Sequence, residues 1–350
     1  MAGNALLACS MLVLSVGIAW GQALEPARTW DLRSVLVERS SAAMKAGDLV
    51  AAAEIHADLG QEALRRARAA HDSWMRLRHR KTLLFPESMK VNEWNYRHAA
   101  SDLFCFMWIV SARMRAPSLP MLLETLDAES RLAGPGELSP SVRWDDGRVI
   151  QDSPALRMFG MAEYAKDGLL SVCEATGDER ARERLLGLVR AVLAHAKEPS
   201  PFGVLPSNDS EVNGNMLQVL CRLGGEEGGR EHAEAAARIA GAAIETMLPA
   251  NHGLPARAFA YQDRESLDAT VMLRDHGNEL VPGLGEAYAL AVSLRADPAW
   301  AARAARWREP LLAMYERIFA IGTREDGLLI SAVDPATGRH LDPRPNDNWG

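Results

Sequence analysis

The 350-residue chain lacks the marks of several functional classes. It has no excess of positive charge: the formal net charge is -7 at pH 7, which removes the general electrostatic case for nucleic acid or an anionic membrane surface as partner. Cysteine is scarce, four residues in all. Cys9 precedes most of the N-terminal apolar run, where a lipoprotein site would end it, and Cys105, Cys173 and Cys221 each sit inside an apolar helical pattern with no C-x-x-C arrangement. They read as buried free thiols, with a single disulfide allowed in an oxidising compartment. Beyond the N-terminus no apolar run reaches the roughly 18–20 residues of a membrane span, the longest being Leu103 to Val110. Histidines are scattered, and His232 beside Glu231 and Glu234 reads as a solvated helix face, so neither a metal nor a cofactor is expected. Strand signals are few, and no short helical repeat with a period of about 34 residues recurs, which weakens a short-repeat solenoid.

At 48% hydrophobic, the chain has enough apolar residues for a sizeable core. An apolar run from Ala5 to Trp20 followed by Gly21-Gln22-Ala23 reads as an export signal, giving a signal peptide over 1–23 and a mature domain over 24–350 that is periplasmic or extracellular. From Asp31 to about Leu84 the pattern is helical, broken at Gly47-Asp48. Helix pairs follow with short turns inside each pair, Thr176-Gly177-Asp178 and Arg295-Ala296-Asp297 among them. Long mixed loops separate the pairs, over 197–210, 249–278 and 322–346. Long loops must therefore gather at one end of the helices. Gly327 to Val333, followed by Asp334-Pro335-Ala336-Thr337-Gly338, predicts a small hairpin inside the last loop.

A polar cluster opens alternate helices at roughly 55–70 residue intervals. These are Glu93-Trp94-Asn95-Tyr96-Arg97-His98, Gln151-Asp152-Ser153-Pro154, Asn208-Asp209-Ser210-Glu211, Asp275-His276-Gly277-Asn278-Glu279 and Asn346-Asp347-Asn348-Trp349-Gly350. Helical hairpins of this length with polar and aromatic residues at the start of alternate helices resemble the six-hairpin glycosidase superfamily. The resemblance implies an all-α, (α/α) toroid of helical hairpins with Arg97 to Arg115, Pro154 to Ala175, Glu211 to Leu223 and Glu279 to Leu294 as inner helices, and a carbohydrate substrate. The last cluster reads as the opening of another inner helix, so the last hairpin is expected to be cut off and the ring incomplete at the C-terminus.

Glycoside hydrolysis needs two carboxylates across the scissile bond. Asp275 is the favoured acid or base, because Arg274, His276 and Asn278 surround it and it lies too far ahead of Pro282 for a simple cap. Asp209 or Asp347 would be its partner. Carboxylates just before a helix are commonly caps, and Asp152, Asp209 and Glu279 suit that role. Trp94, Tyr96 and Trp349 are candidate sugar-stacking platforms, with Asn95, Arg97, His276, Asn278 and Glu279 as polar contacts. Asn95-Tyr96-Arg97-His98 also supplies the residue types of a polysaccharide lyase acting on uronic-acid polymers. A non-catalytic glycan-binding scaffold is the third reading, with the loop acids as caps alone. When the full chain is made in an exporting host, the mature protein is expected to begin at Leu24, as read by intact mass; retention of all of 1–23 would exclude cleavage there.

Overall fold

The computed structural model describes residues 37–134, 136–274 and 279–345. The chain divides into a smaller unit, Met1–Arg78 with Ile109–Leu119, and a larger one, His79–Trp108 with Pro120–Gly350. In the smaller unit α1 (37–45) turns at Gly47 into α2 (Leu49–Met75), where Asp48 accepts the N–H of Ala51 at 3.0 Å. The break falls where Gly47-Asp48 predicts it, while α2 ends at Met75, short of Leu84. One stripe of α2 is buried, comprising Ala52, Ile55, Ala67, His71 and Trp74. The buried imidazole of His71 is fully partnered: Nδ1 lies 2.9 Å from Asp72 Oδ1, and Nε2 lies 2.8 Å from Ser111 Oγ and 3.0 Å from Ser118 Oγ.

The larger unit is built of paired helices. The inner members are α3 (π-helical Tyr96–Phe104 continuing as Cys105–Met114, whose residues from Ile109 belong to the smaller unit), α5 (Pro154–Glu163, π-helical Tyr164–Leu170, then Ser171–Thr176), α7 (Ser210–Gly224) and α9 (Leu280–Ser293). The outer members are α4 (Leu119–Ser130), α6 (Glu179–Ala194), α8 (Arg230–Ala242, π-helical Ala243–Met247, then Leu248–Ala250) and α10 (Pro298–Gly322). Caps punctuate the chain: Asn95, Ser153 ahead of Pro154, Asp178, Asp209 and Asp297 each accept N–H groups from the helix they open. Gly177, at φ 67°, supplies the left-handed residue that ends α5 and starts the short turn into α6.

Consecutive inner helices pack side by side, α3 on α5, α5 on α7 and α7 on α9; α6 covers α5, α8 lies against both α7 and α9, and α10 covers α9. The long loops carry the strands. β1 (Glu93–Trp94) pairs with β2 (Val142–Arg143), and β3 (Ala258–Ala260) with β4 (Glu265–Asp268). β5 (Val271–Met272), β6 (Ile330–Val333) and β7 (His340–Pro345) form a third antiparallel sheet. The hairpin expected after Gly327 is β6–β7, and through β5 it also joins the loop before α9 to the loop after α10.

A buried ion pair ties inner to outer helices. Glu129 of α4, with no exposed side-chain surface, accepts Arg184 of α6 twice, at 2.7 and 2.8 Å, and also the hydroxyls of Tyr164 at 3.1 Å and Tyr96 at 3.2 Å. From Tyr96 a chain of ring contacts runs through the fully buried Trp94, Phe104 and Trp108.

Small residues set the spacing of the inner helices. A Cβ on Gly214 of α7 would stand 2.3 Å from the backbone nitrogen of Leu280, and one on Gly283 of α9 would stand 3.2 Å from the carbonyl of Gly214. The helices touch backbone to backbone there, and Gly168 of α5 likewise meets the Ser101 backbone and the Cys105 thiol of α3. Gly214→Ala is therefore expected to destabilise by about 1–3 kcal/mol or more. Gly187→Ala, in α6 with only an arginine tip 4.0 Å away, is expected to stabilise by roughly 0.5–1 kcal/mol. Urea unfolding of both variants checks the pair, and an unaltered midpoint for Gly214→Ala would contradict the contact.

Candidate active site

Where the N-terminal parts of α3, α5 and α7 come together, a cavity of about 250 Å³ is lined by Arg97, His98, Phe159, Asp209, Glu211 and Arg257. Arg97 and His98 stand in the first turn of α3, oriented by Asn95, whose side chain accepts the N–H groups of His98 at 2.9 Å and Ala99 at 3.4 Å. Gly160 lets α3 lie close on α5, since a Cβ there would stand 3.1 Å from Tyr96 Cβ and 3.5 Å from Arg97 Cγ. That approach places Arg97 beside Phe159. Asp209 and Glu211 open α7, and Arg257 is held against them by main-chain bonds, from Ser210 N to Arg257 O at 3.0 Å and from Phe259 N to Asn208 O at 2.9 Å.

The cavity joins acid and base groups on different helices. Nδ1 of His98 lies 3.3 Å from Asp102 Oδ2, a carboxylate contact that holds the ring and leaves Nε2 to exchange a proton. Glu211, 5% exposed, faces the same space from α7. Asp209 accepts the N–H of Glu211 at 2.8 Å, so it serves as the cap of α7 as well as lining the cavity. Phe159, partly exposed, offers an apolar face.

Several side chains stand elsewhere than expected. Trp94 is fully buried, stacked edge-on against Tyr96 and Phe104, so it is part of the core and no sugar platform. Tyr96 is buried with its hydroxyl on Glu129; burial first, then the Glu129 charge, pushes its phenol far above the usual tyrosine range, which removes it as a base for a lyase. Asn95 is buried as a cap and as a donor to Glu87. Of the Asn95-Tyr96-Arg97-His98 cluster only the last two reach the cavity, because consecutive helical residues point about 100° apart. Ser153, not Asp152, caps α5; Asp152 instead accepts the N–H of Ser141 at 3.0 Å. Asp275, His276, Asn278, Asp347 and Trp349, with the signal segment 1–23, lie outside the described residues. Phe159 and Arg257 carry no sequence signal of their own, being a lone aromatic in a helix and a lone arginine in a loop.

Glu279 occupies the cap position of α9 without making a capping bond. Its carboxylate instead accepts Lys166 Nζ at 2.7 Å and Gln218 Nε2 at 2.8 Å, and Lys166 also binds Asp167 at 2.7 Å. This polar rung crosses α5, α7 and α9. Among the described residues no three His, Cys, Asp or Glu side chains gather as a metal site, and no helix is long and apolar enough to cross a membrane.

Desolvation raises the carboxyl of Asp167 to about 6, with the charges of Glu279 and Asp102 adding to it and Lys166 opposing. An acid whose pKa rises on folding holds its proton more tightly folded than unfolded, so the fold loses stability as pH climbs from the ordinary aspartate value through about 6. Asp167 keeps 39% of its side chain exposed, which moderates the effect. Asp167→Asn is expected to lose less stability than the parent chain between pH 4.5 and 7.5, measured by melting at both; parallel pH dependences would show that Asp167 titrates normally.

No family model matches the sequence, and no curated protein matches it. In structure the chain is similar to an alpha-1,2-mannosidase from Trichoderma reesei, with TM-score 0.53, 12% identity, and 84% of this chain and 65% of the mannosidase covered. It is similar to a sugar epimerase from a ruminal bacterium, with TM-score 0.53, 15% identity and 90% and 81% covered. It is also similar to a D-mannose isomerase, with TM-score 0.53, 10% identity and 89% and 80% covered. The chain thus spans 65% of the mannosidase's length. At these identities the likeness is one of architecture: the chain has an all-α, (α/α) toroid fold.

Proposed function

We propose that this protein is a sugar-processing enzyme that moves a proton on a small sugar bound in the Arg97–Glu211 cavity, as an isomerase or epimerase. The observation that carries this reading is the pairing of His98, backed by Asp102, with Glu211 on a separate helix across one cavity. Two such groups can remove a proton from the carbon beside a sugar carbonyl and return it to a neighbouring atom or the opposite face. Arg97 or Arg257 would stabilise the oxyanion that forms on the carbonyl oxygen meanwhile. A volume of about 250 Å³ falls just below the roughly 300–1,000 Å³ of drug-sized ligand pockets, which favours a single sugar ring over a polymer. An epimerase and an isomerase of this architecture are covered over 81% and 80% of their lengths.

Glycoside hydrolysis is the second reading, favoured by the presence of two carboxylates, Asp209 and Glu211, on one cavity. The capping bond of Asp209 counts against it as a freely protonated acid, because protonation would weaken that bond. Export to the periplasm or medium is proposed alongside either reading.

Incubating the protein with aldoses and ketoses in D2O separates the readings. Isomerase or epimerase activity predicts deuterium at the carbon next to the carbonyl by NMR. His98→Gln and Glu211→Gln are each expected to lower kcat by roughly 10²–10⁴-fold. Release of aryl alcohol from aryl glycosides without exchange would instead establish hydrolysis, and turnover of neither class would leave a binding protein.

A further inference from the structure

Two guanidinium groups converge on the cavity from different elements: Arg97 at the start of α3 and Arg257 at the entry to β3. Each is positioned by contacts that do not involve its charge. The Arg97 stem lies on α5 at Gly160. The backbone of Arg257 is fixed at both ends, its N–H bonded to Thr270 O and its carbonyl to Ser210 N, both at 3.0 Å.

Their charges are weakly answered. Among the described residues the Arg97 side chain has no hydrogen-bond or ion-pair partner. Arg257 meets Asp268 at 3.6 Å, with the two side chains 56% and 39% exposed, a geometry that contributes little. Arginines that hold the fold together look different: Arg184 grips Glu129 through two bonds, and Arg222 grips Glu286 through two bonds at 2.9 Å. A guanidinium lining a cavity with its fork unused is suited to a planar or tetrahedral oxyanion of a ligand. The cavity carboxylates have other work, Asp209 in accepting the α7 N–H and Glu211 in the acid–base pair. Phe159 offers a surface for the apolar face of a pyranose.

We propose that the preferred ligand of this cavity is an anionic monosaccharide, its carboxylate or phosphate bound by Arg97 and Arg257 and its ring laid on Phe159. The proposal rests on the sugar-processing reading and names its substrate class. Calorimetric titration of the full chain with glucose, glucuronate, glucose 6-phosphate and inorganic phosphate tests it. At least one anionic sugar should bind roughly tenfold or more tightly than glucose, and this advantage should shrink as salt is raised. The uronate and phosphate arms show which anion is preferred. In Arg97→Met and in Arg257→Met the ratio of anionic to neutral affinity should fall close to one, with melting curves confirming the fold. Arg295→Met, on an exposed turn between α9 and α10, should leave the ratio unaltered.

Equal affinity for glucose and both anionic sugars would overturn the proposal while leaving the sugar-processing reading intact. Binding of inorganic phosphate as tightly as either anionic sugar would overturn it by showing an ion site alone. Absence of binding by any sugar would overturn both readings together.

Discussion

The carboxylate of Glu129 is the point on which the larger unit turns. It is wholly withdrawn from solvent, and it is held by the two-bond grip of Arg184 and the hydroxyls of Tyr96 and Tyr164. Burial opposes the Arg184 charge, and Glu129 more than offsets it. An ion pair of this kind adds little net stability against an apolar replacement, but loss of one member strands the other at a cost of about 3–5 kcal/mol. Its effect is therefore one of registration. Four helices, α3, α4, α5 and α6, have a single arrangement in which all the polar atoms of the cluster are satisfied.

That registration reaches the cavity in one residue. Tyr96 points down to Glu129, and Arg97 and His98 beside it turn towards the cavity. The depth at which Tyr96 is anchored thus sets where the guanidinium and imidazole stand. Gly160 and Gly168 on α5 allow the approach, and Gly214 and Gly283 repeat it between α7 and α9. Helices in such close contact leave little room for large side chains between them, and Lys166, Gln218 and Glu279 bridge from helix to helix across α5, α7 and α9.

The candidate site shows how capping and chemistry share residues. An acid at a helix start stabilises the helix by accepting free N–H groups, and at the start of α7 such an acid also lines the cavity. Asp209 illustrates both. Glu211, two residues later, is 5% exposed and lines the same cavity. His98 has Asp102 one helical turn away, which fixes its ring. The groups proposed for proton transfer thus stand in the first turn, two or three residues past the caps that announce the helices.

The pairing of helices by short turns, the breaks at Gly47 and Gly177 and the long loops between pairs were legible in the sequence, because periodicity, caps and turns act over a few residues. The same is true of the β6–β7 hairpin. Arg97 and Asp209 could be marked as candidates because both lie at helix starts. Tertiary structure alone decided which of Asn95, Tyr96, Arg97 and His98 faces the ligand space, and it withdrew Trp94 and Tyr96 into the core. It also brought Phe159 and Arg257 to the cavity from segments with no shared local pattern. The Glu129 cluster spans 33 residues to Tyr96 and 55 to Arg184. Over such distances a sequence records that a carboxylate and a guanidinium exist, while their pairing depends on which helix faces meet, and that is settled by packing.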